Sequence, residues 1–152
     1  MKKYLGVKLI EAEPMNKYEY HMNIKKEDCF EDNEDGYKVV YPDGYVSWSP
    51  KDVFEKAYMK VTPNPCLKSN VSVSQEMVEN FIKEVDVSTI GDKTTLVRVV
   101  LVNGFEIIES SACVDKENYS QEIGGEVCLK KIKDKIWMML GFLLQTAVGG
   151  VK

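Results

Sequence analysis

Only a few side chains in this sequence have the types and spacing that chemistry requires, and they argue against catalysis. His21 is the single histidine, and one imidazole excludes histidine-based triads and most metal sites built on several imidazoles. No two of the four cysteines have the two-residue spacing of a zinc knuckle or a redox motif; they are Cys29, Cys66, Cys113 and Cys128. The sequence therefore predicts a protein that is not an enzyme and that has neither a metal site nor a cofactor.

An acidic run at residues 27–35 holds six carboxylates in nine positions. A calcium site is the sharper interpretation of this run, and a solvated loop is the simpler one. The run lacks the glycine and the terminal glutamate of an EF-hand loop. We therefore interpret it as a solvated loop.

Three cationic side chains are candidates for binding a phosphate. Lys131 and Lys135 lie four positions apart, so a helix places them on one face. Such a face either binds phosphate or is simply solvated. Arg98 is the one arginine of the chain and lies in a run of apolar residues. It is either the partner of a carboxylate in an ion pair or a fork for a phosphate.

Aromatic residues are concentrated in twelve positions, and these are Tyr37, Tyr41, Tyr45 and Trp48. Such a cluster either fills a core or forms a wall on which a base stacks. We interpret it as core.

The composition is typical of a soluble globular protein. The chain has 152 residues, of which 44% are hydrophobic and 29% are charged, and its net charge is −4. A negative net charge argues against binding to duplex nucleic acid, which requires a strong positive field. No apolar run approaches the ~20 residues of a membrane span, and the first residues do not resemble a secretory signal. We expect a cytoplasmic protein with no membrane partner.

Turn and cap residues define the first half of the chain. The predicted elements, in chain order, are a half-buried strand at residues 4–10, a hairpin at 37–41 and 45–48, and a helix at 51–58. Pro42, Asp43 and Gly44 form the hairpin turn, because proline presets φ and glycine accepts a left-handed conformation. Ser49 and Pro50 are typical of the N-cap and first position of the helix.

The second half predicts a longer version of the same arrangement. Its elements are a strand at residues 81–89, a turn at 91–93, strands at 94–102 and 105–114, and a helix from about 120 to about 147. Ser74 could begin a short helix before the first strand. Asn103 and Gly104 predict a type I′ turn, which needs positive φ at both positions. Gly124 and Gly125 are expected to delay or kink the first turn of the long helix.

The chain divides near its middle, where Pro63 and Pro65 are typical of a linker. We predict a small N-terminal module at residues 1–61, a linker at 62–71 and a C-terminal domain at 72–149. The fold class is α+β, with a β-hairpin or antiparallel sheet and a following helix in each part. The long C-terminal helix is expected to pack on the second sheet.

An ordered series of motifs in the second half resembles the small phage-protein family named for Gp forty-nine and Gp sixty-six. The series consists of Asn103-Gly104-Phe105, Glu109-Ser110-Ser111-Ala112-Cys113-Val114-Asp115, Glu117-Asn118-Tyr119, Gln121-Glu122-Ile123-Gly124, Lys135-Ile136-Trp137 and Leu140-Gly141-Phe142-Leu143. The resemblance covers about residues 72–148. The sequence departs from the common pattern at the second of two adjacent serines and at Gly125. The first half resembles, more weakly, phage accessory modules with a W-x-P motif, here Trp48 to Pro50.

That family is similar to Thoeris anti-defence sponge proteins, which sequester cyclised ADP-ribose signals or cyclic oligonucleotides without cleaving them. The resemblance implies a homo-oligomer with ligand held between subunits, for which the apolar C-terminal helix is the expected interface. It implies action in the host cytoplasm on a nucleotide-derived signalling molecule. Phe105 or Tyr119 would stack on a base. The full set of expected ligand-binding residues is Arg98, Asn103, Phe105, Asn118, Tyr119, Lys131 and Lys135.

Two other functions remain open at this point. The chain could be a protein-interaction module that binds a host or phage protein through its aromatic hairpin, with no small-molecule ligand. It could also be an enzyme acting on nucleotides. Two of the expected ligand residues have structural interpretations as well, since Asn103 fits a hairpin turn and Asn118 fits a helix cap.

Overall fold

A computed structural model describes residues 1–27 and 33–152 of the chain. Cys29 and part of the acidic run at 27–35 lie outside the described residues. The fold is α+β, as predicted, with two three-stranded antiparallel sheets and a long C-terminal helix. The chain forms two compact units, which we call the first unit (Met1–Lys60 with Thr146–Lys152) and the second unit (Val61–Gln145).

The first unit contains one sheet with the strand order β1-β2-β3. Its elements are β1 (Glu11–Pro14), α1 (Lys17–Tyr20), a π-helical turn (His21–Lys25), β2 (Gly36–Val40), β3 (Val46–Pro50) and α2 (Lys51–Ala57). Asn16 begins α1 with a capping box, because its side chain accepts a hydrogen bond from the Glu19 amide at 2.7 Å. The predicted hairpin is confirmed, with Val40 paired to Val46.

Specific polar contacts hold the first unit together around a small core. Tyr20 and Val39 are buried, and the Tyr20 hydroxyl donates to the Val46 carbonyl at 3.3 Å. The Trp48 indole N–H donates to the Met15 carbonyl at 2.8 Å. Gly36 is required beside this indole, because a Cβ there would overlap the Trp48 ring. A backbone segment therefore packs directly on the indole.

The predicted strand at residues 4–10 is wrong, since the first ten residues are all described and contain no strand. The register supplies the reason. Glu11 pairs with Val40, so Ile10 would lie opposite Tyr41, and every earlier residue would lie opposite the turn that begins at Pro42. The alternation is strand-like, but the first sheet ends before these residues reach a partner.

The predicted helix cap at Ser49 is also wrong. Pro50 is the N-cap of α2, and it provides no side-chain hydrogen bond. The Ser49 hydroxyl donates instead to the Pro50 carbonyl at 3.4 Å. The prediction of Pro50 at the first helical position is wrong as well, because Pro50 precedes the helix with ψ 145°, although the helix begins at Lys51 as expected.

The second unit contains a sheet with the strand order β4-β5-β6. Its elements are α3 (Gln75–Asn80), β4 (Ile82–Ile90), β5 (Thr94–Leu101), β6 (Glu106–Ala112), a 3-10 turn (Lys116–Asn118) and most of α4 (Gln121–Gly149). Both alternatives at Ser74 apply: its hydroxyl caps α3 through the Met77 amide at 3.3 Å, and the predicted strand follows.

An aliphatic core joins β5 to α4 and α3. Every second residue of β5 is fully or nearly fully buried, namely Thr95, Val97, Val99 and Leu101. The α4 residues in the same cluster recur at helical spacing, and they are Cys128, Ile132, Ile136 and Leu140. Each fully buried aliphatic side chain contributes about 1.5–3 kcal/mol of hydrophobic stabilisation. The long helix packs on the second sheet as predicted.

Two glycines lie at the start of α4 without delaying it, so that expectation is wrong. Gly124 and Gly125 both belong to the helix that begins at Gln121. A Cβ on Gly124 would overlap the Thr95 hydroxyl oxygen. The glycine therefore serves close packing of the helix on β5.

The hairpin at Asn103 and Gly104 is confirmed, but its turn is not type I′. Gly104 has φ +83°, whereas Asn103 is absent from the residues with positive φ in the described chain. The Gly104 amide donates to the Leu101 carbonyl at 2.9 Å, and the Leu101 amide donates to the Phe105 carbonyl at 2.8 Å. This pattern is typical of a three-residue loop that ends in a left-handed glycine.

No helix in the described part of the chain is long and apolar enough to cross a membrane.

Candidate functional site

Arg98 lies on the face of the second sheet opposite to the buried side chains of β5. Its Nε and Nη2 donate to the two carboxylate oxygens of Glu106 on β6, at 3.0 and 2.6 Å. Its Nη1 donates to Asp86 on β4 at 2.7 Å. These hydrogen bonds raise the pKa of Arg98 and lower the pKa of Glu106. The ion-pair interpretation of Arg98 is confirmed, and three of its five N–H donors are already used.

The two lysines predicted to share a helix face meet at one carboxylate. Lys135 forms an ion pair with Glu109 of β6. The hydrogen bond from Lys135 is the largest cause that lowers the pKa of Glu109, and the positive charges of Lys135 and Lys131 lower it further. The Glu109 side chain is only 17% exposed, so it lies against the sheet rather than in solvent. A phosphate at these lysines would have to compete with this carboxylate.

Asn118 and Tyr119 lie together where the 3-10 turn leads into α4. The Tyr119 hydroxyl oxygen is 2.6 Å from Thr89 Oγ1 and 3.2 Å from Thr95 Oγ1. Asn118 is exposed and does not cap a helix. Ser120 caps α4, because its hydroxyl accepts from the Ile123 amide at 3.3 Å, so the cap interpretation of Asn118 is wrong.

Asn103 and Phe105 lie at the opposite end of the second sheet. The Asn103 side chain accepts a hydrogen bond from the Phe105 amide at 3.0 Å, which confirms its turn role. Phe105 is 56% exposed. Thr95, which Tyr119 contacts, lies six residues before the last residue of β5, and the turn follows that last residue. The two ends are therefore roughly 20 Å apart at the rise of a β-strand. One ligand of nucleotide size therefore contacts one end of a single copy, not both.

A surface cavity of about 340 Å³ lies at the Tyr119 end of the second sheet, and its lining residues are Asp92, Lys93, Val114, Asp115 and Lys116. The Cys113 amide donates to the Lys93 carbonyl at 3.0 Å, which joins the β4–β5 turn to the segment after β6. The Lys93 ammonium donates to the Val114 carbonyl at 3.3 Å. The cavity is shallow and largely open to solvent, so it can cover only part of a small ligand.

Lys93 and Lys116, which line this cavity, are not among the ligand residues that the sequence predicts. Lys93 was visible only as a turn residue, and Lys116 as part of an acidic and amide-rich segment. The pairing of β5 with β6, which opposes Thr94 and Ala112, brings the two segments together. A signal for these residues was present in the strand lengths, because strands of matched length place their flanking residues side by side.

The aromatic hairpin of the first unit packs on α2. The Tyr37 ring stacks on Phe54 with centroids 4.1 Å apart, and Phe54 stacks on Tyr58 at 5.0 Å. Tyr37 donates to Glu55 at 2.9 Å, and this bond raises its pKa. Tyr45 remains 64% exposed at the turn. Tyr37 therefore packs between the hairpin and α2, whereas Tyr45 lies beside the Tyr41 ring, with centroids 5.8 Å apart, and remains mostly exposed.

The described residues contain no group of three or more histidine, cysteine or acidic side chains that could hold a metal ion.

Comparison with known proteins places the second unit in a family. Residues 73–148 match the family described as "Phage protein (N4 Gp49/phage Sf6 gene 66)". This chain belongs to that phage protein family. The match runs from α3 into α4, so it includes Arg98, Tyr119 and every other expected ligand residue. No curated protein and no solved structure matches the chain.

Proposed function

We propose that this phage protein binds and sequesters a nucleotide-derived immune signal, of the cyclised ADP-ribose or cyclic oligonucleotide type, without cleaving it. The observation that carries the proposal is the cavity beside Lys93 and Lys116, within the part of the chain that matches the phage family. Its last lining residue, Lys116, lies two residues before Asn118 and three before Tyr119. The resemblance to Thoeris anti-defence sponges implies that Asn118 and Tyr119 bind the ligand. It also implies that the protein acts in the host cytoplasm.

The chemistry required of such a site is limited to holding a ligand. The two lysine ammonium groups would bind a pyrophosphate as point charges. Asn118 would bond a ribose or a base edge, and the Tyr119 ring would stack on the base. The two threonines that contact the Tyr119 hydroxyl fix the direction of that ring. No acid and base pair is needed, which agrees with a chain that has one histidine.

A second copy of the chain would complete the enclosure of the ligand. Sequestration requires that most of the ligand surface be covered, and five residues at an open edge cover only part of it. The outer face of α4 carries exposed apolar side chains, including Ile123 and Val127 four positions apart. We propose a homo-oligomer that forms through this helix.

The test is thermal unfolding of the full chain with cyclised ADP-ribose and with cyclic dinucleotides. A ligand at one hundred times its dissociation constant stabilises the folded state by about 2.7 kcal/mol, which raises the Tm of a unit of this size by about 10 °C. Lys93→Ala with Lys116→Ala should abolish the shift. Lys68→Ala with Lys83→Ala, which removes the same charge from exposed positions of the second unit, should preserve it.

The ligand released by heat denaturation separates the functions. Unchanged ligand supports sequestration, whereas altered ligand would show that the chain is an enzyme acting on nucleotides. No shift with any of these nucleotides would contradict the proposal.

A protein-interaction module is the second candidate, and the exposed ring at each hairpin tip favours it. Tyr45 and Phe105 each follow a left-handed glycine and are 64% and 56% exposed. Aromatic side chains of this kind are common anchors at protein interfaces. Retention of one host or phage protein by the wild-type chain, lost in Tyr45→Ser with Phe105→Ser and combined with no nucleotide shift, would favour this function.

A further inference from the structure

The first ten residues of the chain have the pattern of a strand and no strand to pair with. We call residues 2–10 the leading arm. Tyr4 and Leu5 are 90% and 93% exposed. Within the described residues, no backbone hydrogen bond joins residues 2–9 to the rest of the chain. Val7 and Leu9 are half-buried, but a segment of alternating apolar residues with no backbone partner in its own chain can accept a strand from elsewhere.

The arm continues the direction of β1. Ala12 lies opposite Val39, so these two side chains and Tyr41 share one face of the first sheet. A straight continuation of β1 places Lys8 on that same face, because side chains alternate. The Lys8 ammonium lies 5.4 Å from the centre of the Tyr41 ring, as this continuation requires. This contact places Lys8 beside the residue that follows β2, on the side that a continuation of β1 would give it.

The neighbouring edge of the sheet is also open. β1 is an outer strand, with β2 on one side. All four of its residues are exposed. The arm and β1 together present one continuous edge that can accept a further strand.

We propose that two copies of this chain pair through residues 3–11 as antiparallel strands, with Val7 of one copy opposite Val7 of the other. In this register Leu5 lies opposite Leu9 of the second copy, and Lys3 lies opposite Glu11 of the second copy. The pairing joins two three-stranded sheets into one six-stranded sheet with two-fold symmetry. The proposal does not depend on nucleotide binding or on association through α4.

Charge and polarity favour this register over its neighbours. It forms two opposite-charge pairs, and it aligns the apolar residues 5, 7 and 9 of both copies on one face. A shift that centres the pairing on Lys8 places two lysines directly opposite each other. A shift that centres it on Gly6 removes both opposite-charge pairs. A shift of one residue places Leu5 opposite Lys8 and mixes the two faces.

Disulfide trapping tests the register directly. Opposed residues in an antiparallel pair have Cα atoms about 4.5–5.5 Å apart, which lies within the range that a disulfide bridges. Val7→Cys should form a disulfide that joins position 7 of one full chain to position 7 of another, identified by peptide mapping. Leu5→Cys should not link to itself, since its two copies lie about 13 Å apart. A mixture of Leu5→Cys and Leu9→Cys should link position 5 to position 9.

Sedimentation of the full chain tests the association itself. Val7→Pro removes a donor and blocks strand pairing, so the dimer dissociation constant should rise more than about tenfold. Lys3→Glu should raise it about threefold to thirtyfold, since two symmetric pairs change sign together. Lys3→Glu with Glu11→Lys should restore the wild-type value. Circular dichroism confirms that each variant is folded.

Two results would overturn the proposal. One is the absence of the disulfide between copies of Val7→Cys, or a disulfide between copies of Leu5→Cys that forms equally well. The other is an unchanged dissociation constant in Val7→Pro, which would assign any dimer to α4 alone. A chain that sediments as a monomer at all concentrations tested contradicts the proposal as well.

Discussion

The hairpin of the first unit and the second hairpin of the second unit close in the same way, around different cores. Gly44 and Gly104 both have φ +83°. In each turn an acidic or amide side chain accepts a hydrogen bond from the amide two residues later, Asp43 from Tyr45 and Asn103 from Phe105. Two unrelated sequences, Pro-Asp-Gly and Val-Asn-Gly, therefore give one turn.

The cores behind these turns differ in kind. In the described part of the first unit Tyr20 and Val39 are the buried hydrophobic residues, and stacked rings and side-chain hydrogen bonds supply further contacts. In the second unit ten buried hydrophobic residues form one cluster between β5, α3 and α4. A turn therefore fixes which strands pair, whereas the packed face of the sheet decides how stable the pair is.

Truncation of the cores should separate the two units most strongly. Ile132→Ala removes a fully buried side chain in the second unit and should cost about 2–5 kcal/mol of unfolding free energy. Val39→Ala in the first unit should cost less, about 1–3 kcal/mol, because fewer atoms are removed. Native-state hydrogen exchange of the β5 and β2 amides measures the two effects separately. Glu126→Ala, at an exposed position of the same helix, is the control and should change little.

If Val39→Ala lowered the free energy of unfolding more than Ile132→Ala, the expected difference between the two cores would be contradicted. It would mean that the stacked rings of the first unit depend on one buried residue more than the aliphatic cluster does.

Each unit has one glycine at a site of close packing, and substitution of either glycine by alanine should cost a similar free energy of unfolding. Gly124→Ala should cost about 1–3 kcal/mol, because its Cβ would overlap the buried Thr95 side chain. Gly36→Ala should cost a similar amount through overlap with Trp48. Gly141→Ala has open space and should stabilise α4 by up to about 1 kcal/mol. Urea unfolding followed by the β2 and β5 amide signals measures all three. A neutral Gly124→Ala would show that the helix can move away from the sheet at little cost.

The turn glycines provide a smaller and more exacting test. Gly44→Ala and Gly104→Ala should each cost about 1–2 kcal/mol, because both glycines are left-handed and nothing lies near the added Cβ. The same urea experiment measures the cost. Asn at either position should cost less than Ala, since asparagine tolerates this conformation. Unequal costs would mean that the two turns share geometry but not energetics.

Local signals made most of the fold predictable. The two hairpins followed from turn residues, and α4 followed from its apolar stripe, because these features depend on neighbours in the sequence. Residues 4–10 have the same kind of signal, but no strand lies beyond Tyr41 to receive them. Alternation predicts a strand, and only the register of the sheet decides whether it has a partner.

The candidate site was less predictable, since its parts are far apart in the sequence. The ion pairs of Arg98 come from the neighbouring strands, one residue from each. Lys93 and Lys116 line one cavity because the first residue of β5, Thr94, pairs with the last residue of β6, Ala112. The choice between phosphate and carboxylate as a partner for Arg98 depends on cross-strand register, which no local pattern reports.

In acid the second unit should lose more stability than the first, whereas in alkali both units should lose stability, and this is the smallest expected effect. In the second unit the alkaline loss comes from Cys128, because burial raises the pKa of its thiol. In the second unit hydrogen bonds lower the pKa of Glu79, Glu106 and Glu109. Their contribution to stability is present above the unfolded-state pKa of about 4.3 and is lost as the pH falls further. In the first unit the pKa values of Tyr37 and Tyr58 are raised above 10.0. Their contribution is present below that value and is lost as the pH rises through the folded-state pKa.

Urea midpoints from the β2 and β5 amide signals, measured at a series of pH values, give the pH dependence of the stability of each unit. Glu106→Gln should reduce the acid loss in the second unit and leave the first unit unchanged. Tyr37→Phe should reduce the alkaline loss in the first unit, because the Glu55 bond that raises its pKa is gone. If the first unit instead lost as much stability in acid as the second, ion pairs would not be the groups that distinguish them, and the difference between the two cores would be one of packing alone.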